Sequence, residues 1–544
     1  MTEEIDLLIR NGTIVDGSGG KPFKADVGVS AGRISEVKSN ISADAKNSID
    51  AKQQIVCPGF IDIHSHTDMS IPFDNRIESM VRQGVTTSVM GNCGSSLAPI
   101  SDDTIDLMQK DIDVFSPPGH RLNITWRTFG EYLTTIERAR IPINVVPLVG
   151  FGTVRIATGP AFENREPTKK ELMEMKADVA EAMSVGAFGM STGLFYPPQS
   201  YASFSEILEL AKTVAEYKGL YFSHIRGEGK SVVPAIQELI DIVEHSGCRG
   251  GQIAHHKIAG RPYWGTSKDT LKLMAEANKR GLNITCDQYP YNRGMTSLIS
   301  LLPPWVHEGG MDSILDHLKT PESQVRIRGD VASGIKGWEN IINEIGWQGI
   351  YIASVKSDKW KPIEGKDLEH IAEVYGYSDK FELLFDILLD EAGETSMTIE
   401  SMDEGDIRRI MKDRHTMIGS DGWGMSPTGV FRHGRPHPRS YGTYPRILGK
   451  YVREEGVLSI EEAIWKMTGF PAERLRLRNR GLVREGYNAD LAVFNPKTIR
   501  DKATFLEPHQ FPVGIQNVIV NGDIIVDDST QLDLFPGRVL RYAA

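Results

Sequence analysis

The chain is poor in the features that mark several protein classes, and each shortage narrows what it can be. Only four cysteines occur in 544 residues, Cys57, Cys93, Cys248 and Cys286. They show no framework spacing, which argues against a disulfide-stapled secreted scaffold. Positive charge is scarce too: 61 Lys and Arg stand against 72 Asp and Glu, a formal net charge of -11. That balance disfavours nucleic acid as the main partner and leaves a small anionic ligand open. No apolar run reaches the roughly 20 residues that span a bilayer, so no membrane partner is expected. The opening stretch, Met1 to Asp6, is acidic and lacks a signal-peptide core. What remains is a cytoplasmic enzyme with reduced thiols, its oligomeric state open.

What the chain does have is length and alternation. It is too long for one small core, and a large barrel with an accessory domain fits better. Residues 1–58 read as short strands, with Asn11-Gly12 as a hairpin turn signal. Residues 481–544 repeat the style around Asn521-Gly522. Both ends are therefore expected to fold together into a small β-sandwich. Between them, residues 59–480 alternate strand and helix. Eight strand candidates end near His64, Cys93, Val149, Ser191, His224, His255, Tyr289 and Asp421. Eight such units predict an α/β fold, a (β/α)8 TIM barrel. Strands seven and eight are separated by residues 290–415, far beyond an ordinary loop. About 295–360 of this is expected to form a lid over the catalytic face. The helices near Leu368–Tyr375 and Lys380–Ala392 are assigned to the barrel's outer ring, and a helix is expected over Asp74–Gln83.

The chemistry concentrates at strand ends. Gly59-Phe60-Ile61-Asp62-Ile63-His64-Ser65-His66 reads as a buried strand ending in two histidines, which at a spacing of two share a face. Cys93, His224, His255 and Asp421 end other strands in the same way, on the face where barrel sites form. Four imidazoles, a thiol and a carboxylate meeting at one mouth suit zinc, and the thiol argues against magnesium or calcium.

Several stretches then point to a family. Gly59–Asp68, Gly91-Asn92-Cys93-Gly94, Ser223-His224-Ile225-Arg226, His255-His256-Lys257, Gly419-Ser420-Asp421-Gly422 and His437-Pro438-Arg439 resemble the amidohydrolase superfamily, specifically its D-aminoacylase (N-acyl-D-amino-acid deacylase) family. The resemblance continues through Tyr441–Arg446, Lys466–Gly469 and Pro536–Leu540. It implies zinc-dependent hydrolysis of N-acyl-D-amino acids. Cys93, His224 and His255 resemble the ligands of a tightly held zinc. His64, His66 and Asp421 resemble those of a second, weaker position, which Cys93 can bridge. Asp421 is then the general base. Many amidohydrolases carry a bridging lysine on strand four; here that strand runs Met190-Ser191-Thr192-Gly193, and Cys93 takes its place. Lys257 and Tyr289 resemble the residues that hold the substrate's carboxylate, and Tyr196 one near the scissile amide. Relatives often have a small hydroxyl residue where this chain has Met295; Arg293 is expected to supply a charge instead. His256, facing away from His255, reads as a packing or supporting histidine. A cyclic amidase of the hydantoinase or dihydropyrimidinase type and an inactive barrel scaffold stay open as alternatives.

Overall fold

The computed structural model describes residues 5–543; the first four residues of the acidic opening stretch lie outside them. The chain termini build one nine-stranded sheet. Its central strand is Ile5–Ile14, paired antiparallel with Phe23–Ser30 along one edge. On the other edge the strand forks. Its first half pairs in parallel with Ala45–Asp50 and its second half with Ile55–Pro58. The fork falls where the register slips between Ile9 and Gly12, and Asn11 there has φ 61°. The Asn11-Gly12 dipeptide, expected as a hairpin turn, is therefore a bulge inside one continuous strand. Asn tolerates the left-handed conformation, and the Asn11 N–H donates to Asp26 Oδ1 at 2.8 Å. Asn521-Gly522, the same dipeptide, does make the turn between Ile515–Val520 and Asp523–Asp527. The two ends of the chain join where Ile55–Pro58 pairs antiparallel with Leu491–Phe494.

The segment between the termini is α/β. Phe60–Asp62, Val85–Met90 and Asn144–Pro147 form one parallel sheet. Val149–Gly150, Gly189–Gly193, Leu220–His224, Gly251–Ile253, Ile284–Gln288 and Thr416–Ile418 form a second, also parallel. Only Leu148 separates the two sheets along the chain. At the far side, Asp421 N–H donates to His64 C=O at 2.7 Å and His66 N–H to Gly422 C=O at 2.8 Å, linking the first strand's exit to the last's. The strands are buried on both faces, as parallel strands covered by helices must be. Helix starts follow from the sequence. Thr168 accepts from Glu171 N–H while Glu171 reaches back, so Lys169–Ser184 begins with a capping box; Thr128 and Glu131 do the same for Phe129–Arg138. The helix expected over Asp74–Gln83 shrinks to Glu78–Val81, because Ile77 sits at φ 35° and breaks it.

The long insertion has a core of its own. Arg293–Ser297, Ser396–Glu400 and Ile350–Ser354 form an antiparallel sheet in that order. Against it pack Leu298, Leu318, Trp360, Ile371 and Leu384, all buried. A fully buried aliphatic side chain stabilises by about 1.5–3 kcal/mol, so this cluster holds the segment together. The helices Leu368–Tyr375 and Lys380–Asp390, expected in the outer ring, supply part of that core. The reason is their apolar faces, which complement the small sheet.

Candidate metal centre

The donor residues sit at or just past strand ends. His224 is the last residue of its strand; His64, Cys93, His255 and Asp421 follow theirs by two or three residues. Cys93, His255 and Asp421 have φ of 53°, 34° and 51°. Left-handed backbone costs non-glycine residues about 1–3 kcal/mol. Three such residues at one spot mark a site whose geometry the surroundings enforce.

Their side chains converge. Cys93 Sγ lies 3.4 Å from His64 Nε2 and 3.5 Å from His255 Nε2. Asp421 Oδ1 lies 3.1 Å from His66 Nε2 and 3.4 Å from His64 Nε2. His64, Cys93, His255 and Asp421 each offer a donor atom, all within 4.8 Å of one another. His224, Glu228 and His255 form a second such group. The His224 and His255 rings are 4.3 Å apart, and His224 Nε2 is buried with no hydrogen-bond partner among the described residues. An orphaned imidazole nitrogen beside a thiol and two more imidazoles is what a borderline-soft divalent cation such as zinc would satisfy.

Electrostatics prepares the donors. Burial works against a thiolate at Cys93, but the neighbouring His64 and His255 outweigh it and hold the thiol well below its usual range. Burial likewise opposes ionisation of Asp421, and Arg439 leads the groups that keep it well below the usual carboxylate range. His66 is the exception: despite burial, its hydrogen bond to Asp421 raises it to about 9, so a metal there would have to displace a proton.

Two carboxylates that the sequence reading passed over support the imidazoles. Asp287 Oδ1 stands 3.0 Å from His64 Nδ1 and accepts the His255 backbone N–H at 2.7 Å. Its only sequence signal was an acid inside the strand Ile284–Gln288, which the structure shows to be buried throughout. Glu228 Oε1 lies 3.1 Å from His255 Nδ1 and 3.6 Å from His224 Nε2. It offers the acceptor that an imidazole needs on one nitrogen when the other gives its lone pair away. Glu228 is itself held from the insertion. Glu339 accepts the N–H of Glu228 at 2.8 Å, of Gly229 at 3.0 Å and of Ser231 at 3.2 Å, plus the Ser231 hydroxyl at 2.7 Å.

A cavity of about 300 Å³ opens over the donors, and Tyr196, Lys257, Tyr289 and Arg439 line it. Lys257 Nζ is 2.5 Å from Glu228 Oε1 and lies 2.7 Å from His255 Nδ1. Arg439 lies over the Tyr289 ring, 4.7 Å from its centre. Its Nη1 is 2.7 Å from Asp421 Oδ2, an ion pair without hydrogen-bond alignment. Tyr196 packs edge-on to His224 with ring centres 4.9 Å apart. Arg293 is a correction: it faces Glu400 in the sheet register, pairs with it at 2.8 Å and stacks on Tyr351 and Phe505, away from the cavity. Arg439, quoted in a motif but given no task, is the arginine that reaches the site. Met295 lines the cavity and accepts the His437 N–H at 3.4 Å. His256 is a packing residue, buried with Nε2 at 2.9 Å from Thr270 Oγ1.

Comparison with known proteins agrees with this geometry. The amidohydrolase family matches residues 47–526. A D-aminoacylase of Alcaligenes xylosoxydans xylosoxydans is 33% identical, covering 100% of this chain and 99% of its own. An N-acyl-D-aspartate deacylase of the same organism is also 33% identical, covering 99% of this chain and 95% of its own. The crystal structure of N-acyl-D-glutamate deacylase from Bordetella bronchiseptica, complexed with zinc and a phosphonate mimic of the tetrahedral intermediate, superposes with a TM-score of 0.82 at 30% identity, over 99% of this chain and 100% of that one. The chain belongs to the amidohydrolase family, within its D-aminoacylase group.

Proposed function

We propose that the protein is a zinc-dependent hydrolase that cleaves the amide of N-acyl-D-amino acids into a carboxylate and a D-amino acid. One observation carries this reading: the thiol–imidazole–carboxylate group of His64, Cys93, His255 and Asp421 opens into the cavity that also presents Lys257, Tyr289 and Arg439. His64, His66, Cys93, His224, His255 and Asp421 would hold the metal, one ion tightly and a second more weakly. The D preference comes from the named activities of the relatives.

Zinc, when bound, supplies Lewis acidity to the reacting amide. The chain's own residues do the rest. Asp421, ionised and held by Arg439, accepts the proton of the attacking water and returns it to the leaving amine. Lys257, Arg439 and Tyr289 form a corner of two cations and a hydroxyl that fits the substrate's α-carboxylate. Tyr196 sits beside His224, where its hydroxyl can donate to the carbonyl oxygen as charge builds there. The insertion and the helix Ile105–Asp113 border the cavity and exclude bulk water.

The parallel strands and the contacts between Asp421 and His64 support closure as a (β/α)8 barrel. We assign the termini, residues 1–58 with 481–544, to an accessory β domain built on the single forked sheet, and extend the proposed cover of the barrel mouth from 295–360 to 293–400. No helix of the described residues is long and apolar enough to cross a membrane. The four free thiols suit a reducing compartment, so we place the protein in the cytoplasm. The cyclic-amidase alternative is less well supported, because Gly189–Gly193 offers no lysine to the site. Amine release from paired N-acetyl-D- and N-acetyl-L-amino acids tests the proposal. Turnover of the D partners alone is expected; equal turnover of both enantiomers contradicts it.

A further inference from the structure

The two relatives described above differ in whether the released amino acid carries a second carboxylate, and identity near 33% to both does not choose between them. The cavity does. Its lysine and arginine side chains are Lys257, Lys356 and Arg439. Each already has an acidic partner: Lys257 has Glu228, Lys356 has Glu394 and Arg439 has Asp421. Holding one α-carboxylate occupies the Lys257–Arg439 corner and leaves only Lys356, whose Nζ is tied to Glu394 and also donates to the Asp113 carbonyl at 2.9 Å. Arg293, the one further candidate, is bound to Glu400 outside the cavity.

Asp111 and Glu344 also line the cavity, and their carboxylates make no hydrogen bond or ion pair among the described residues. Burial, followed by the nearby charge of Glu339, pushes Glu344 up to about 8; burial pushes Asp111 up to about 6. The part of the cavity around these two disfavours carboxylates as anions, and a substrate carboxylate placed there would meet the same penalty. The remaining walls mix bulky apolar side chains, Phe195, Ile299, Trp338 and Trp423 among them, with neutral hydroxyls such as Ser95 and Thr296. They offer a hydrophobic seat and nothing that would neutralise a negative charge.

We propose that this cavity takes N-acyl-D-amino acids with uncharged, apolar side chains and excludes those with acidic ones. The inference rests on the deacylase reading and goes beyond it. The test is kcat/KM for N-acetyl-D-leucine, N-acetyl-D-phenylalanine, N-acetyl-D-aspartate and N-acetyl-D-glutamate with the zinc-loaded full chain. The leucine and phenylalanine substrates should exceed both acidic ones by at least about 100-fold. An acidic substrate turned over as well as leucine overturns the proposal while leaving the deacylase reading intact. Hydrolysis of none of the four overturns that reading, and the proposal with it. A second variant places the cause: Glu344→Lys should narrow the leucine-over-glutamate ratio by about 10-fold or more. A ratio left unchanged contradicts the assignment of the exclusion to the cavity's charge.

Discussion

Asp287 Oδ1 lies 3.0 Å from His64 Nδ1 and takes the backbone N–H of His255 at 2.7 Å, so one buried carboxylate orients two of the donor residues. Its other oxygen accepts from Gln252 Nε2 at 2.8 Å, which locks the carboxylate in place. Asp287→Asn keeps the shape and weakens the acceptor at His64. Metal affinity should fall about 10- to 100-fold, measured by competition with a chromogenic chelator. Unchanged affinity would mean that His64 is held by packing alone.

Asp421 has a different task. Asp421→Asn is expected to retain the metal and lose turnover by about three orders of magnitude or more. Metal analysis beside kcat separates the outcomes. Substantial residual kcat would hand the base role to another group, and lost metal would make Asp421 chiefly a ligand.

The insertion reaches the centre through Glu339. Four donors of the loop Glu228–Ser231 end on its carboxylate, and Glu228 in turn faces Lys257 and His255. Removing it by Glu339→Ala should loosen this loop and disturb the Lys257 corner before it disturbs the proton transfer. KM should rise about 10-fold or more with a smaller change in kcat. Loss of kcat at constant KM would contradict that chain of contacts.

Much of this was legible in the chain itself, and the failures share a cause. Strand-end donors could be read because a strand fixes where the chain leaves it: His224 is the last residue of Leu220–His224, and His64, Cys93, His255 and Asp421 follow their strands by two or three residues. Helix starts could be read wherever a capping box was written in, as at Thr168. Asn11-Gly12 misled because the choice between bulge and turn depends on two partner strands, Ala45–Asp50 and Ile55–Pro58, that local sequence does not contain. Arg293 misled because its partner Glu400 is 107 residues away. Glu228, Asp287 and Glu339 act through contacts between distant segments, and nothing in their immediate surroundings announces that.

Away from the site, Asp178 gives a pH test. It sits on the helix Lys169–Ser184, accepts from Thr158 Oγ1 at 2.8 Å, and is raised from 3.8 to about 6, mainly by burial. A raised carboxylate binds its proton more tightly in the folded state. Stability therefore falls as pH climbs from about 4 through 6, and the cost is complete above that window. Asp178→Asn keeps an acceptor for Thr158 and removes the cost. With partial solvent screening the variant should gain about 1 kcal/mol at pH 8, and the gain should vanish near pH 4. Urea unfolding midpoints at the two pH values check the sign.

The central claim is that separate strand ends deliver a thiolate and imidazoles to one metal. Zinc per chain, measured by mass spectrometry on purified wild type and on Cys93→Ala, tests it most directly. The account predicts at least one zinc per wild-type chain and a variant that loses it, with its catalytic activity, on dialysis. A Cys93→Ala protein that keeps a full equivalent of zinc and full turnover would contradict it.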